Sequence, residues 1–127
     1  MIEAKLSDAV NSIEVFNSLV EKPLSARTAY QVAKLIRELN QEINLFQATQ
    51  AKIAEKYWEC NEDGSVKVDE EGYWHIPKEK MPDYAKEVNE LLASKIEVNA
   101  EPIDLNELLE EKFTPVQMNQ IMVFIKE

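Results

Sequence analysis

The fold is decided by a stretch without proline or glycine, residues 25–57, which reads SARTAYQVAKLIRELNQEINLFQATQAKIAEKY. Apolar residues recur in it at alternating steps of four and three, a spacing that keeps them on one face of an α-helix. The positions of this seam are Val32, Ile36, Leu39, Ile43, Phe46, Gln50, Ile53 and Tyr57. The pattern predicts one continuous helix over residues 26–57, with Ser25 as its N-cap.

The seam has two interpretations. Helices in proteins are stabilised mainly by tertiary packing of their apolar face, which favours burial of the seam inside this chain. On that interpretation the buried residues include Ile36, Leu39, Ile43, Phe46 and Ile53. The alternative is a seam left for a second protein or a second copy of this chain, so that a homo-oligomer forms through the long helix.

Both glycines follow acidic residues, as Asp63-Gly64 and Glu71-Gly72, and mark turns. Strand-favouring residues lie between and after them, so residues 65–76 are predicted to form a β-hairpin. Residues 96–100 alternate apolar and polar side chains and predict a strand that can pair with the hairpin. The resulting fold class is α+β and mostly helical: one long helix packed with shorter helices and a small antiparallel sheet, in a single domain of residues 1–127.

Shorter helices are predicted on both sides of the long one. The first carries apolar residues from Leu6 onward and ends before Pro23, because proline disfavours helical geometry in the preceding residue. Another begins at Met81, and Asp104 is expected to cap a brief one. Residues 114–117, TPVQ, have the composition of a capping box that opens the last helix. Its inward residues are predicted to be Met118, Ile121, Met122 and Ile125.

The net charge of −10 is unevenly distributed. Residues 1–57 carry seven acidic and seven basic side chains, whereas residues 58–76 carry six acidic and one basic, a net charge of −5. Residues 77–127, with eleven acidic and six basic side chains, hold the other −5. Such a surface repels phosphate backbones and anionic lipid, so we expect no direct nucleic-acid partner and no membrane. It favours a basic protein partner.

The residues that most enzyme sites require are scarce. Two glycines cannot form a phosphate-binding loop of the usual kind, and one histidine with one cysteine cannot hold zinc. The acidic residues of the hairpin do not have the spacing of an EF-hand calcium loop. We therefore expect no catalytic residues, no cofactor and no metal. Because 24 acidic residues always supply some carboxylate pair, a carboxylate-dependent metal enzyme is kept as an alternative.

Aromatic and acidic residues are densest around the predicted hairpin. Tryptophan and tyrosine are enriched at binding hot spots, although they also anchor small sheets onto helices. The candidate protein-binding residues are Trp58, Asp63, Asp69, Glu70, Glu71, Tyr73 and Trp74.

Three observations indicate a cytoplasmic protein. The single cysteine, Cys60, cannot form an internal disulfide. The first residues, MIEAKLSDAV, lack the basic and then apolar pattern of a secretion signal. No apolar run approaches the roughly 20 residues that span a bilayer.

Four stretches carry a family resemblance: KPLSARTAYQVAKLIRELNQEI (22–43), NEDGSVKVDEEG (61–72), EVNELL (87–92) and IEVNAEPIDL (96–105). In order and spacing the chain resembles an uncharacterised family of small acidic proteins from phages and prophages of Gram-positive bacteria. No catalytic motif defines that family, so no functional residue is carried over. The resemblance implies a phage setting inside a host cell.

Together, the residues and the resemblance predict a non-catalytic phage or prophage protein that binds another protein. One version is an inhibitor of a host anti-phage defence, whose acidic surface blocks a basic nucleic-acid or nucleotide site. The alternative is a virion-assembly component that uses the seam of the long helix to join copies or a larger phage protein.

Overall fold

The structure, a computed structural model, describes all residues from Met1 to Glu127. Its elements in chain order are β1 (Ile2–Lys5), α1 (Leu6–Asn17), α2 (Ala26–Glu55), α3 (Met81–Leu92), β2 (Lys95–Val98), β3 (Ile103–Asp104), α4 (Pro115–Ile121) and β4 (Ile125–Lys126). Two short 3₁₀ helices, Leu105–Leu108 and Met122–Phe124, flank α4 in sequence. The mostly helical α+β fold class is confirmed.

The long helix is confirmed as α2, which is continuous over 30 residues. It begins where predicted, because the Ser25 Oγ accepts a hydrogen bond from the backbone N–H of Thr28 at 3.3 Å. It ends at Glu55, two residues earlier than expected. Neither α2 nor any other helix combines the length and the apolar content needed to cross a membrane.

The chain divides into two compact units. The first unit comprises Met1–Asn44 and Ala93–Glu127, and the second comprises Leu45–Leu92. The helix α2 contributes its first part to one unit and its last part to the other. The single domain stays a prediction, because the compactness of each unit does not determine whether both unfold together.

The strand predicted at residues 96–100 is present as β2, which ends two residues earlier, at Val98, and its partner differs from the predicted one. It pairs antiparallel with β1, in the register Ile2 to Val98 and Ala4 to Ile96. The expected single sheet of hairpin 65–76 plus strand 96–100 is therefore wrong. In β1 the buried Ile2 and Ala4 alternate with exposed residues, which gives β2 an apolar partner. This signal spans only four residues and was missed.

The core of the first unit is formed by α1, the first part of α2 and the C-terminal elements. The rings of Phe16 and Phe124 meet edge to face with centroids 5.8 Å apart, and both are fully buried. β3 pairs in parallel with β4, which brings Ile103 beside Ile125. Leu35 is also fully buried, although it lies outside the predicted seam.

The seam itself faces inward. Of its apolar positions Val32, Leu39, Phe46 and Ile53 are buried. The predicted burial of Ile36 and Ile43 is met only in part, because both are half-buried against the core of the first unit. Leu35, which lies beside the seam, is buried in their place. The buried face of α2 is therefore wider than a 4-3 seam, as is usual for a helix packed in a globular core.

In the second unit, α3 contacts Gln50 near the end of α2 and the two residues that follow the helix, Lys56 and Tyr57. The rings of Tyr57 and Tyr84 lie 6.3 Å apart, and the Nζ of Lys56 contacts Glu87 Oε1 at 3.1 Å. Hydrogen bonding to Glu87 raises the pKa of Tyr57 to about 12. No residue of α3 is fully buried, so this face is held by half-buried side chains.

The predicted caps of the C-terminal elements are present. The Asp104 carboxylate accepts from the backbone N–H of Asn106 at 2.9 Å and begins the first 3₁₀ helix. Thr114 and Gln117 form the reciprocal capping box of α4. Of the residues predicted to face inward, Ile121 is buried, but Met122 is 55% exposed. Met122 leaves the inward face because α4 gives way to a 3₁₀ helix at that residue.

Candidate protein-binding loop

The acidic loop, residues 58–76, is built from two turns of the same design. Each turn starts at an Asn or Asp and ends at a glycine three residues later: Asn61 to Gly64, and Asp69 to Gly72. The glycine N–H donates to the carbonyl of the first residue at 3.0 Å in both turns. The φ angles of Gly64 and Gly72 are +88° and +87°, a conformation that residues with a Cβ rarely adopt. The chain therefore reverses direction twice within the loop.

Three short backbone segments lie side by side between these turns. Antiparallel bridges join Cys60 to Val66 and Val68 to Trp74. The backbone of Glu59 is hydrogen-bonded to both other segments. Its N–H donates to the carbonyl of His75 at 3.1 Å, and its carbonyl accepts from the N–H of Lys67 at 2.8 Å. The predicted hairpin is thus present, with an added segment at residues 59–61. That segment lacks strand-favouring side chains, so the sequence did not indicate it.

Asp69 organises the second turn. Its Oδ1 accepts hydrogen bonds from the backbone N–H groups of Glu71, at 2.9 Å, and Tyr73, at 3.0 Å. Its Oδ2 lies 2.6 Å from the Nε2 of His75. The hydrogen bond with His75, followed by those from Tyr73 and Glu71, lowers the pKa of Asp69. Asp69 is therefore bound within the loop and is a poor candidate for contact with a partner.

Asp63 has the same role in the first turn. Its Oδ1 accepts from the hydroxyl of Ser65 at 2.6 Å and from the backbone N–H of Ser65 at 3.0 Å. These bonds lower the pKa of Asp63. Of the four predicted acidic contacts, Glu70 and Glu71 are exposed, and their carboxylates accept no hydrogen bond. Glu62, exposed in the first turn, belongs with them and was missed.

The structure brings together two of the three predicted aromatic residues. The rings of Trp58 and Trp74 lie 5.5 Å apart at 59°, and Trp74 keeps 40% of its surface exposed. As cross-strand partners, Val68 and Trp74 share one face of the loop. Tyr73 precedes Trp74 in an extended segment and so points to the opposite face, where it is 64% exposed. The apolar surface beside Trp74 consists of Trp58 and Val68, without Tyr73.

Trp58 is positioned by the end of α2. Its backbone N–H donates to the Ala54 carbonyl at 2.8 Å, which fixes the exit of the chain from the helix. Trp58 is half-buried and supports the more exposed ring of Trp74. The two readings of these aromatics therefore apply to different residues: Trp58 anchors the loop, and Trp74 is available at its surface.

Candidate metal ligands and nucleophiles are dispersed. No group of three His, Cys, Asp or Glu side chains lies close enough to hold a metal ion. Cys60 is an exposed free thiol, and the ring of His75 contacts Asp69.

Comparison with known proteins gives no match to any family model, curated protein or solved structure. The resemblance to phage and prophage proteins thus stays a prediction from the quoted stretches.

Proposed function

We propose that this chain is a non-catalytic phage or prophage protein that acts in the host cytoplasm by binding a basic protein. Its target is a component of a host anti-phage defence, and the acidic loop covers that component's nucleic-acid or nucleotide site. The observation that carries the proposal is the combination, in one ordered loop, of a net charge of −5 with an exposed tryptophan. The phage setting rests on the sequence resemblance.

Charge supports the choice of a basic partner. The first 57 residues are neutral, and residues 77–127 spread a net charge of −5 over a much longer stretch than the loop does, so negative charge is densest in the loop. At physiological ionic strength the field is screened over about 8 Å, which confines the attraction to surfaces near the loop. Glu62, Glu70 and Glu71 are exposed there and lose little hydration before contact. Charges of this kind mainly raise the association rate and select against acidic partners.

Apolar contact supports the affinity. Trp74 and Val68 lie on one face of the loop, and both keep a large part of their side chains exposed. Interfaces commonly combine aromatic anchors at the centre with a polar rim, and tryptophan is the residue most enriched among hot spots. The exposed carboxylates and this apolar face therefore fit the two parts of such an interface.

Order within the loop supports specificity. Asp63 and Asp69 each accept two or more hydrogen bonds inside their turns, and the two backbone bridges hold the segments in register. A loop that is ordered before binding loses less conformational entropy on association than a flexible acidic tail. This is a reason to treat the loop as a binding element rather than as a solubilising segment.

The direct experiment is affinity capture of the tagged protein from infected host cells, followed by mass spectrometry. A loop variant, Glu62→Gln with Glu70→Gln and Glu71→Gln, keeps Asp63 and Asp69 and so leaves the turns intact. A control variant removes three exposed charges elsewhere: Glu3→Gln, Glu14→Gln and Glu21→Gln. We expect a basic host protein captured by the parent chain and the control but depleted with the loop variant. Equal capture by all three proteins contradicts the proposal.

The virion-assembly alternative uses the long helix. Because the seam faces inward, the large apolar residues that α2 leaves for another chain are Tyr30 and Leu45, which are 69% and 64% exposed. Capture of a phage structural protein that is lost on Leu45→Gln and unaffected by the loop variant supports this alternative instead.

A further inference from the structure

A second surface lies in the first unit, where half-buried and exposed apolar residues surround a groove. We call it the C-terminal groove, and it is formed by Leu105, Leu109, Phe113, Met118, Met122 and Ile125. It contains two cavities of about 260 and about 300 Å³, which adjoin at Leu105 and Met118. Leu109 and Met122 are 67% and 55% exposed at its margins. Apolar surface that is contiguous, rather than scattered singly, marks an interaction site.

The rim of this groove is acidic. Glu111 lines one cavity and Glu127 the other. Residues 101–127 carry six acidic and two basic side chains, a net charge of −4. Glu111 is partly neutralised by Lys22, whose Nζ lies 3.0 Å from its carboxylate, whereas Glu127 makes no ion pair and keeps its end of the groove negative. An occupant must therefore present cationic groups around an apolar centre.

The geometry favours a helix over a strand as the occupant. β3 and β4 contain two residues each, too few to template an added strand, since strands usually run to about 3–10 residues. A helix instead presents apolar side chains one turn apart on one face, so that neighbouring side chains can enter the two adjoining cavities. Methionine is unbranched and adaptable, so Met118 and Met122 suit the packing of such side chains.

We propose that the C-terminal groove binds a cationic amphipathic helix of a partner protein. Leucine-like side chains of that helix, spaced by three or four residues, fill the two cavities. Its lysine and arginine side chains face Glu127 and Glu111. This site is separate from the acidic loop, and the two proposals can fail independently.

The test uses a fluorescent, amidated peptide of about 18 leucine and lysine residues with leucines at i, i+3, i+4 and i+7. A control peptide has the same composition with the leucines distributed around the helix. Binding to the full chain is followed by fluorescence anisotropy at physiological salt. The groove variant is Leu109→Gln with Met122→Gln, and the matched control is Val20→Gln, another exposed apolar residue of the same unit.

We expect saturable binding of the amphipathic peptide that weakens at least about tenfold in the groove variant. Val20→Gln and the loop variant should bind as the parent chain does. The proposal is overturned if the control peptide binds equally well, if the groove variant binds unchanged, or if no binding occurs. It is also overturned if sedimentation shows that the parent chain self-associates and the groove variant does not, because the occupant is then a second copy.

Discussion

The side-chain amide of Gln50 donates a hydrogen bond from Nε2 to the hydroxyl of Tyr84 at 3.2 Å. Gln50 is the one polar position in the apolar seam of α2, and Tyr84 lies on the facing side of α3. Because the side chain of Gln50 is hydrogen-bonded within the chain, it needs no second protein as a hydrogen-bond partner. This contact is therefore the local reason that the last part of α2 packs on α3.

The substitution Tyr84→Phe removes the hydroxyl that accepts the hydrogen bond from Gln50 and keeps the aromatic ring. We expect a loss of about 0.5–1.5 kcal/mol in the free energy of unfolding, since the half-buried Gln50 amide is left without its bond. Urea unfolding monitored by circular dichroism measures it. The matched control, Tyr30→Phe, alters a tyrosine that is 69% exposed and should change stability by less. Equal effects of the two substitutions contradict the role given to Gln50.

Leu39→Ala tests burial of the seam itself. Leu39 is fully buried, so its truncation is expected to cost about 2–5 kcal/mol. Leu45→Ala, on the same helix but 64% exposed, should cost less than about 0.5 kcal/mol. Urea midpoints of both variants give the comparison. A change below about 0.5 kcal/mol for Leu39→Ala would mean that the seam is free for a partner.

The second turn of the acidic loop should respond to pH through Asp69. Its pKa is lowered in the folded chain, chiefly by the hydrogen bond with His75. Because this pKa is lowered, ionised Asp69 stabilises the folded loop at pH values above the ordinary aspartate pKa. The stabilisation is lost as the pH falls through the lowered pKa. We expect NMR titration to place the Asp69 pKa below the usual value of about 3.9.

Replacing His75 with Ala should raise the Asp69 pKa toward its ordinary value. Asp63 is the internal control, because the bonds that lower its pKa come from Ser65 and are not changed. An Asp69 pKa that stays the same without His75 contradicts the assigned contact.

Both tryptophans lie in the second unit, which allows the single-domain prediction to be tested without labels. Their fluorescence reports on Leu45–Leu92 alone, whereas far-ultraviolet circular dichroism reports on helices of both units. Because α2 is continuous through both, we expect coincident urea transitions by the two methods. Separate midpoints would show two domains.

Local signals in the sequence predicted much of this fold. The alternating spacing of α2 and the caps at Ser25, Asp104 and Thr114 depend on residues within one or two turns of one another. Such interactions involve residues that are close in sequence, so they can be predicted without knowledge of the tertiary structure. The turns at Gly64 and Gly72 belong to the same class, since a positive φ selects glycine locally.

Pairings between distant residues were not predictable in the same way. β1 is four residues long and pairs with β2 at least ninety residues away, so neither strand identifies its partner. Whether an acidic side chain is free or bonded also depends on turn geometry. Asp69 and Glu70 are adjacent and equally acidic in sequence, yet only Asp69 accepts bonds within the turn. The candidate binding residues do lie together in one loop, whereas the division into bonded and exposed carboxylates among them required coordinates.

The central claim is that exposed carboxylates of the acidic loop steer a basic protein onto Trp74. Its consequence is kinetic, because long-range attraction acts on association more than on dissociation. The protein captured from infected cells supplies the partner for stopped-flow measurements, and Trp74 lies where its fluorescence can report contact. The variants to compare are the loop variant and the control variant with Glu3, Glu14 and Glu21 replaced.

The most direct measurement is the association rate constant of these three proteins as a function of salt. We predict that the loop variant associates about tenfold more slowly than the parent chain at low salt and shows a flatter salt dependence. The control variant should retain most of the rate. If the loop variant associates as fast as the parent chain at low salt, the loop carboxylates do not guide binding and the proposed function is contradicted.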